Sequence, residues 1–331
     1  MSFESFVLLT PSSFVIPTII THIDPNSQTA EELDNPSDLS WTHHLRIYAF
    51  PLFKPFSQSE VPPSHTPVHV ATIDLPRFHV DILQNIPPPR LNIRTDPPPR
   101  HRYPKHPETP VSFLPDPESG IVTMEVFCQT PDDEPDPHFA FVTLKKTLIN
   151  YLPAPTSPLL SQAFPRPAPI VSWETIAPKM RMFGPDLEPQ STFRTLVDML
   201  TTGWVCYVYH NRWINLYTTS ELRSQLRLYD FDPLRVRKEQ YDRAANPLTR
   251  KRSLSRIRSR GDEDGVILVM EETVLERELP LLDEVRTGRE LPYLMVKRAT
   301  NADVALIDGE RIVEVNVSWY IGRKASGLPT M

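Results

Sequence analysis

The sequence predicts an all-β protein, built as a propeller-like array of short antiparallel strands with long proline-rich loops. About a dozen short apolar segments alternate with turns, and the βαβ alternation of a parallel sheet is missing. A single helical pattern is present, at residues 191–200. A six-residue sequence motif, called here the phrase, occurs twice, as Leu45-Arg-Ile-Tyr-Ala-Phe and Leu226-Arg-Leu-Tyr-Asp-Phe. The spacing of the two copies is too great for adjacent hairpins, which favours one structural unit used twice.

The predicted strands follow from period-two alternation bounded by turn residues. Asp232-Pro233 ends the second copy of the phrase, because proline donates no ladder hydrogen bond and restricts the residue before it. In chain order the predicted strands are Phe6–Thr10, Ser13–Ile20, His43–Leu52, Val68–Pro76, Leu91–Thr95, Ile121–Cys128, Phe139–Leu144 with a continuation through Leu148–Leu152, Trp204–Tyr209, Arg212–Tyr217, the phrase from Ser224, Val266–Met270, Leu291–Lys297, Val304–Ile307 and Arg311–Val317.

Four pairs of these segments read as hairpins. Their turns are Thr10-Pro-Ser-Ser13, the acidic loop 130–137, His210-Asn211, which lacks a glycine, and Asp308-Gly309. The first strand begins close to Met1, so we expect the first blade of the array to be incomplete, with an exposed edge beside Phe6–Leu9.

We expect one β-rich domain over residues 1–331, interrupted by loops. The predicted flexible loops are 24–40, 54–67, 96–110, 153–169 and the basic loop 236–262. The chain has 38 prolines and only 9 glycines, so proline is its main turn residue. The runs Pro87–Arg90 and Pro97–Arg100 are read as stiff connectors or, alternatively, as polyproline II segments that dock on an aromatic groove.

Composition limits the classes of function. The net charge is −6, so no global basic field attracts nucleic acid or an acidic membrane. Cys128 and Cys206 each lie in an apolar run and are expected to be buried thiols of a reducing compartment. Because no signal peptide and no long apolar run is present, we expect a cytoplasmic or nuclear protein without a membrane partner.

The sequence indicates no catalytic residue, no cofactor site and no metal site. Histidines occur in groups, but cysteine or acidic ligands at fixed spacing are absent near them. The groups are His43-His44, His65/His69, His79 and His101/His106. No nucleophile-elbow, zinc-protease, dinucleotide or Walker motif occurs, and nothing in the chain argues for an enzyme.

A basic segment at 235–260 is the clearest charged feature. It holds ten Lys and Arg against Glu239 and Asp242. Two clusters, Arg237-Lys238 and Arg250-Lys251-Arg252, are separated by eleven residues, as in a two-part nuclear localisation signal. The patch also includes Arg256, Arg258 and Arg260, and three serines with arginine three positions before them are candidate phosphorylation sites: Ser253, Ser255 and Ser259. A solvated loop between strands, nuclear import and a nucleic-acid tether all remain open.

Eight sequence segments run in order through nearly the whole chain: Leu9-Thr-Pro-Ser-Ser-Phe-Val, Trp41-Thr-His-His-Leu-Arg-Ile-Tyr-Ala-Phe, Val70-Ala-Thr-Ile-Asp-Leu-Pro, Phe183-Gly-Pro-Asp, Trp204-Val-Cys-Tyr-Val-Tyr, Leu228-Tyr-Asp-Phe-Asp-Pro-Leu-Arg-Val-Arg, Glu290-Leu-Pro-Tyr and Leu306-Ile-Asp-Gly-Glu-Arg-Ile. Through these segments the chain resembles the region that follows the F-box in a large group of basidiomycete F-box proteins. In that family the F-box binds a Skp-type adaptor of a cullin ubiquitin ligase. The β-rich region is expected to recruit a target.

The resemblance is incomplete in two places. The F-box, a helical segment of about forty residues in the family, has no counterpart in the sequence, and the helical pattern at 191–200 stands where a short loop is expected. The resemblance therefore implies the target-recruiting part of an F-box protein, with an unknown protein target and no adaptor-binding residue. The alternatives are a nuclear regulator that binds nucleic acid weakly through 235–260, and a truncated gene product without independent function.

Overall fold

The structure is a computed structural model of the 331-residue chain. It describes residues 5–23, 39–51, 66–76, 90–95, 118–128, 138–154, 157–160, 167–184, 208–218, 224–245, 265–275, 284–302, 304–307 and 311–315.

Strands hold 56% of the described residues, which confirms the all-β fold class. The strands are β1 Val7–Thr10, β2 Ser13–Ile23, β3 Leu39–Ala49, β4 Val68–Asp74, β5 Arg90–Thr95, β6 Ile121–Phe127, β7 His138–Leu144, β8 Ile170–Val171, β9 Met180–Phe183, β10 Val208–Tyr209, β11 Arg212–Thr218, β12 Ser224–Asp230, β13 Gly265–Val269, β14 Thr273–Leu275, β15 Val285–Thr287, β16 Tyr293–Thr300, β17 Val304–Ile307 and β18 Ile312–Val315. The α-helices of the described residues are α1 Lys145–Ile149, α2 Trp173–Ile176 and α3 Pro233–Ala245.

The strands form three larger sheets. Sheet I has the order β1-β2-β3-β4-β8, sheet II the order β5-β6-β7-β9, and sheet III the order β10-β11-β12-β16-β13. The pairing of β4 with β8 is parallel, and the other pairings in these sheets are antiparallel. Two further hairpins are β14-β15 and β17-β18.

The sheets stack face to face in chain order. Alternation along each strand gives each sheet two faces, and the apolar face of sheet I packs on sheet II to form the largest core. The opposite face of sheet II packs on sheet III through residues such as Val142 and Trp213. The far face of sheet III packs on the β17–β18 hairpin through Ile214 and Ile307. This stacking is compatible with consecutive blades, and the propeller-like arrangement stays a prediction.

The four predicted hairpins are present in the strand pairing. β1 pairs with β2, β6 with β7, β10 with β11, and β17 with β18. His210 takes a φ of +56°, which provides the left-handed conformation that a tight turn needs where glycine is absent. Cys128 is buried, as predicted, and Cys206 lies outside the described residues.

One predicted strand extension is wrong. The chain does not continue as a strand from Leu144 to Leu152, because Lys145–Ile149 form the helix α1. The Lys145 amide donates to the Gly120 carbonyl at 2.8 Å and leaves the ladder, and the one-turn helix carries Leu148 into the core with no exposed surface. An apolar pair at the end of a strand fits either structure by pattern alone.

The basic loop 236–262 is corrected in its first part. Residues 236–245 belong to helix α3, because Asp232 accepts a hydrogen bond from the Leu234 amide at 2.9 Å and Pro233 stands at the first helical position. Val236 is 2% exposed and anchors the helix. Residues 246–262 and the helical pattern at 191–200 lie outside the described residues.

The other predicted loops are described only in part. Leu39 and Ser40, placed in the loop 24–40, belong to strand β3. Pro158–Leu160, within the predicted loop 153–169, form one turn of 3₁₀ helix. The loop 96–110 lies outside the described residues, as do residues 54–65 of the loop 54–67.

Candidate functional site: the outer face of sheet I

The site begins with the face of sheet I that points away from sheet II, called here the outer face. On β3, Leu45 and Ile47 point into the core, so Thr42, His44, Arg46 and Tyr48 point outward. The cross-strand register adds neighbours from β2 and β4. The outer face is therefore defined by Phe6, Leu8, Phe14, Ile16, Thr18, Thr42, His44, Arg46, Tyr48, His69, Thr72 and Asp74.

Four rings form a continuous row across the outer face, called here the aromatic row. Phe6 contacts Phe14 edge to face at 6.2 Å between ring centroids, and Phe14 stacks on Tyr48 at 5.3 Å. Tyr48 stacks on His69 at 5.1 Å, because a bulge in β4 brings His69 opposite Tyr48. Phe6 is 63% exposed and Leu8 is 43% exposed. The other three rings are partly buried, so the row ends in an exposed apolar patch at Phe6 and Leu8, and such a patch is typical of a binding surface.

A polar chain lies beside the aromatic row. The Thr42 Oγ1 atom is 2.9 Å from His44 Nε2, and His44 Nδ1 is 2.8 Å from Asp74 Oδ1. His44 and Asp74 are direct cross-strand partners in the ladder. The order of hydroxyl, imidazole and carboxylate is that of a hydrolytic triad. However, Thr42 is only 8% exposed and pairs with Ile20 of β2 in the ladder, so a substrate does not reach its hydroxyl.

Arg46 lies between the aromatic row and the polar chain. It stands opposite Ile16 on β2 and Thr72 on β4. Its Nε atom is buried and has no hydrogen-bond partner among the described residues. Burial is the main cause that lowers the pKa of His69, and the positive charge of Arg46 lowers it further, while a contact with the Ala71 carbonyl raises it. Arg46 is thus a partly buried cation on the outer face, and its buried Nε has no partner in the described part of the chain.

His43 occupies the opposite side of β3, inside the core. It has no exposed surface, and its burial lowers the pKa to about 3, with a smaller contribution from His44. His43 is therefore neutral at physiological pH, and it contributes to the packing of sheet I rather than to the outer face.

Arg181 connects sheet II to sheet III from within the core and has no exposed surface. Its guanidinium donates to the Leu291 carbonyl at 2.8 Å, the Glu271 carbonyl at 2.7 Å and Thr273 Oγ1 at 2.7 Å. Burial lowers its pKa, and its Cζ atom lies 5.3 Å from the Tyr293 ring centroid. These three hydrogen bonds hold strand β9 close to the β14–β15 hairpin, so the role of Arg181 is to stabilise the fold.

The predicted basic residues are brought together only in part. Arg237 and Lys238 lie on the exposed side of α3, with Tyr241, which is 74% exposed. Arg243 instead bonds Glu239 at 2.7 Å and the Val266 carbonyl at 3.0 Å, which holds the helix against β13. The other predicted residues lie outside the described part of the chain: Arg250, Lys251, Arg252, Arg256, Arg258, Arg260, Ser253, Ser255 and Ser259.

The outer face was not foreseen as a site, although its signal was in the sequence. The repeated phrase contains Arg46 and Tyr48, and the alternation places them on one face of a strand. Whether that face is covered depends on the order of the sheets, which no local pattern specifies.

Across the described ranges, the His, Cys, Asp and Glu side chains form no group of three that would hold a metal ion. Within those ranges no helix has the length and apolar character needed to cross a membrane. The chain matches no family model, and neither the curated proteins nor the solved structures contain a match.

Proposed function

We propose that this chain is a non-catalytic protein-interaction module, the target-recruiting part of an F-box-type ubiquitin-ligase subunit. The observation that carries the proposal is the outer face of sheet I, where the aromatic row, with Phe6 exposed and its other three rings partly buried, lies beside Arg46. Tyr and Arg are the residue types most enriched at the energetic centres of protein interfaces. The resemblance of the chain to the region after the F-box supports the same reading.

A binding role explains the outer face better than hydrolysis does. A threonine nucleophile needs access to substrate, and Thr42 is buried beneath its neighbours. The chain of Thr42, His44 and Asp74 instead satisfies polar groups between adjacent strands and keeps the surface around Arg46 rigid.

The experiment uses the full chain alone and the same chain fused behind an F-box. We expect the chain alone to capture no Skp-type adaptor, and the fusion to assemble with the adaptor and cullin and to ubiquitinate a bound protein. A fusion carrying Tyr48→Ala tests whether the outer face binds the target, and a fusion carrying Tyr241→Ala tests the exposed face of α3. Capture of the adaptor by the chain alone would contradict the division of roles, and the absence of any ubiquitinated partner would contradict recruitment.

A second function is favoured by the arrangement of α3. Arg237, Lys238 and Tyr241 share an exposed helix face, which combines cations for phosphate with a ring for base stacking. We propose weak, salt-sensitive and sequence-independent nucleic-acid binding through 235–260 as the alternative, in a nuclear protein.

Salt dependence and localisation test this alternative. The six basic residues from Arg250 to Arg260 allow a log–log salt slope of about −5 at most, at about −0.9 per phosphate. Changing Arg250, Lys251 and Arg252 to alanine is expected to abolish nuclear accumulation and leave the thermal unfolding curve unchanged. Nanomolar DNA binding at physiological salt that is lost in this triple variant would make the basic segment the functional site.

A further inference from the structure

We propose that the outer face of sheet I binds a β-sheet face of a partner protein, one that presents an aromatic side chain with a carboxylate beside it. The proposal deepens the proposed function, because it specifies the chemistry of the recruited target. The aromatic part follows from an internal copy of the outer face, which a sheet with an aromatic side chain already covers within this molecule, and the carboxylate follows from the charge of Arg46.

The internal copy is the β10–β11–β12 part of sheet III. The turns of the two hairpins are equivalent, since Ser13 pairs with Ala49 in sheet I and Arg212 pairs with Asp230 in sheet III. In each unit the amide of the phenylalanine that ends the phrase donates to the residue directly before Ser13 or Arg212. The Phe50 amide donates to the Ser12 carbonyl at 2.8 Å, and the Phe231 amide to the Asn211 carbonyl at 2.8 Å.

The aromatic pairs are equivalent too. Phe14 stacks on Tyr48 at 5.3 Å with 11° between the rings, and Trp213 stacks on Tyr229 at 4.7 Å with 24°. In both units the arginine of the phrase, Arg46 or Arg227, stands two residues before the tyrosine on the same side of the strand.

The two copies differ in what covers them. In sheet III the Trp213–Tyr229 pair faces sheet II, and the Phe183 ring lies 5.1 Å from Trp213 and 4.9 Å from Tyr229. Ala140 and Val142 fill the space around that ring. Trp213 is 1% exposed and Tyr229 is 2% exposed, whereas the Phe14–Tyr48 pair of sheet I is only partly buried. The occupant suited to the outer face is therefore a sheet like sheet II, with one aromatic ring among small aliphatic side chains.

Charge defines the second feature of the occupant. The guanidinium of Arg46 forms no ion pair among the described residues, and the carboxylate of Asp74 on the same face is engaged by His44 at 2.8 Å. Covering Arg46 with an apolar surface would leave a cation buried without a counter-charge, which is costly. A carboxylate beside the aromatic side chain removes that cost.

This charge also argues against a second copy of the chain as the occupant. In a twofold contact of outer face on outer face, the central strand β3 of one copy meets the β3 of the other. Where the twofold axis passes near Arg46, the two Arg46 side chains would approach each other, and like charges would repel.

The probe for the test is a disulfide-cyclised hairpin peptide with the strands of sheet II, residues 138–144 paired with 180–183. Phe183 stays on the binding side of the peptide. The substitutions His138→Glu and Arg181→Glu place a carboxylate on either side of its ring. Threonine replaces the side chains of the opposite face of the peptide. Two control peptides carry Phe183→Ala or lysine at both glutamate positions. Each peptide is titrated into the ¹⁵N-labelled full chain and followed by NMR.

We expect the glutamate peptide to shift the amides of Phe14, Arg46 and Tyr48. Tyr48→Ala is expected to weaken binding by at least about tenfold, as truncation of an interface tyrosine does, and Tyr241→Ala on α3 to leave it unchanged. Arg46→Glu is expected to lose the glutamate peptide and to gain the lysine peptide, each by about tenfold. This exchange of preference requires a folded chain, so it separates a lost contact from a lost fold.

Three results would overturn the proposal. The first is equal binding of the glutamate and Phe183→Ala peptides. The second is a set of shifts located away from sheet I. The third is a concentration-dependent dimer in sedimentation that Arg46→Glu changes, which would assign the outer face to a second copy. None of these results depends on ubiquitination, so the failure of this inference is distinct from the failure of the proposed function.

Discussion

Tyr48 and Tyr229 occupy equivalent positions in two different sheets of this protein. Each is the fourth residue of the phrase Leu-Arg-x-Tyr-x-Phe, and each stacks on the aromatic residue that follows the turn of the preceding hairpin. Tyr229 is covered by sheet II, and Tyr48 lies on the outer face. The same local structure therefore serves as core in one place and as surface in the other.

This difference predicts unequal effects of truncation. Tyr229→Ala is expected to lower the free energy of unfolding by about 3–5 kcal/mol, as for other buried aromatic side chains. Tyr48→Ala is expected to lower it by about 1 kcal/mol, because solvent already reaches the ring. Urea unfolding of both variants measures the two values, and equal losses would show that the outer face is covered in solution.

The buried imidazole of His43 predicts a pH dependence of stability. The pKa of His43 is about 3 in the folded chain against 6.5 for an ordinary histidine, so the unfolded chain binds the additional proton between these two values. Stability is therefore fully present above pH 6.5 and falls as the pH decreases, by about 1.4 kcal/mol for each unit within that window. Urea unfolding at several pH values between 7.5 and 5 measures the slope.

A variant isolates the histidine from other titrating groups. His43→Gln is expected to unfold with a flatter pH dependence than the unmodified chain, whatever its stability at neutral pH. Identical slopes for the two proteins would assign the pH dependence to other residues.

The backbone conformation and surroundings of Gly288 predict that this position does not tolerate a side chain. Its φ is +79°, and a Cβ atom there would overlap the Arg181 side chain. Gly288→Ala is expected to cost about 2 kcal/mol or more, because the backbone is strained and the three hydrogen bonds of Arg181 are disturbed.

Gly184→Ala is the matched control for this substitution. A Cβ atom at Gly184 meets only the end of the Leu275 side chain, at 3.2 Å, and that side chain can turn away. The loss for this variant is expected to stay below about 1 kcal/mol in the same denaturation experiment. A loss as large as that of Gly288→Ala would contradict the explanation based on Arg181.

The contacts of Asp230 predict which interactions attach helix α3 to sheet III. This carboxylate is buried, lies 3.4 Å from Arg212 Nε and 3.2 Å from Arg235 Nη1, and accepts a hydrogen bond from the Asp232 amide at 3.0 Å. Asp230→Ala is expected to cost about 3 kcal/mol, since it leaves Arg212 without this carboxylate in a mostly buried setting.

Arg235→Ala tests the outer arm of the same cluster. The side chain of Arg235 is 56% exposed, so its loss is expected to cost about 0.5 kcal/mol, and less at high salt. Comparable losses in the two variants would show that the buried pair with Arg212 is not the main contribution.

The hairpins and the phrase could be predicted from the sequence because their information is local. Alternation gives the faces of β3 and β12, and Asp232-Pro233 ends β12. The helix α3 that begins at Pro233 was not predicted, because the charged segment 236–262 was expected to be a loop. Four short strands were not predicted, and they have little local pattern: β8 Ile170–Val171, β9 Met180–Phe183, β14 Thr273–Leu275 and β15 Val285–Thr287. Their positions depend on distant partners, such as Arg181 holding the chain near Thr273.

The sequence by itself determined that this protein is built from antiparallel strands, and that one unit, with an arginine and a tyrosine on one side of a strand, occurs twice. Only the tertiary structure decided that one copy of that surface is covered by sheet II and that the other is only partly buried. The reason is physical: side-chain alternation assigns residues to a face, but the stacking of whole sheets decides whether another sheet removes that face from water.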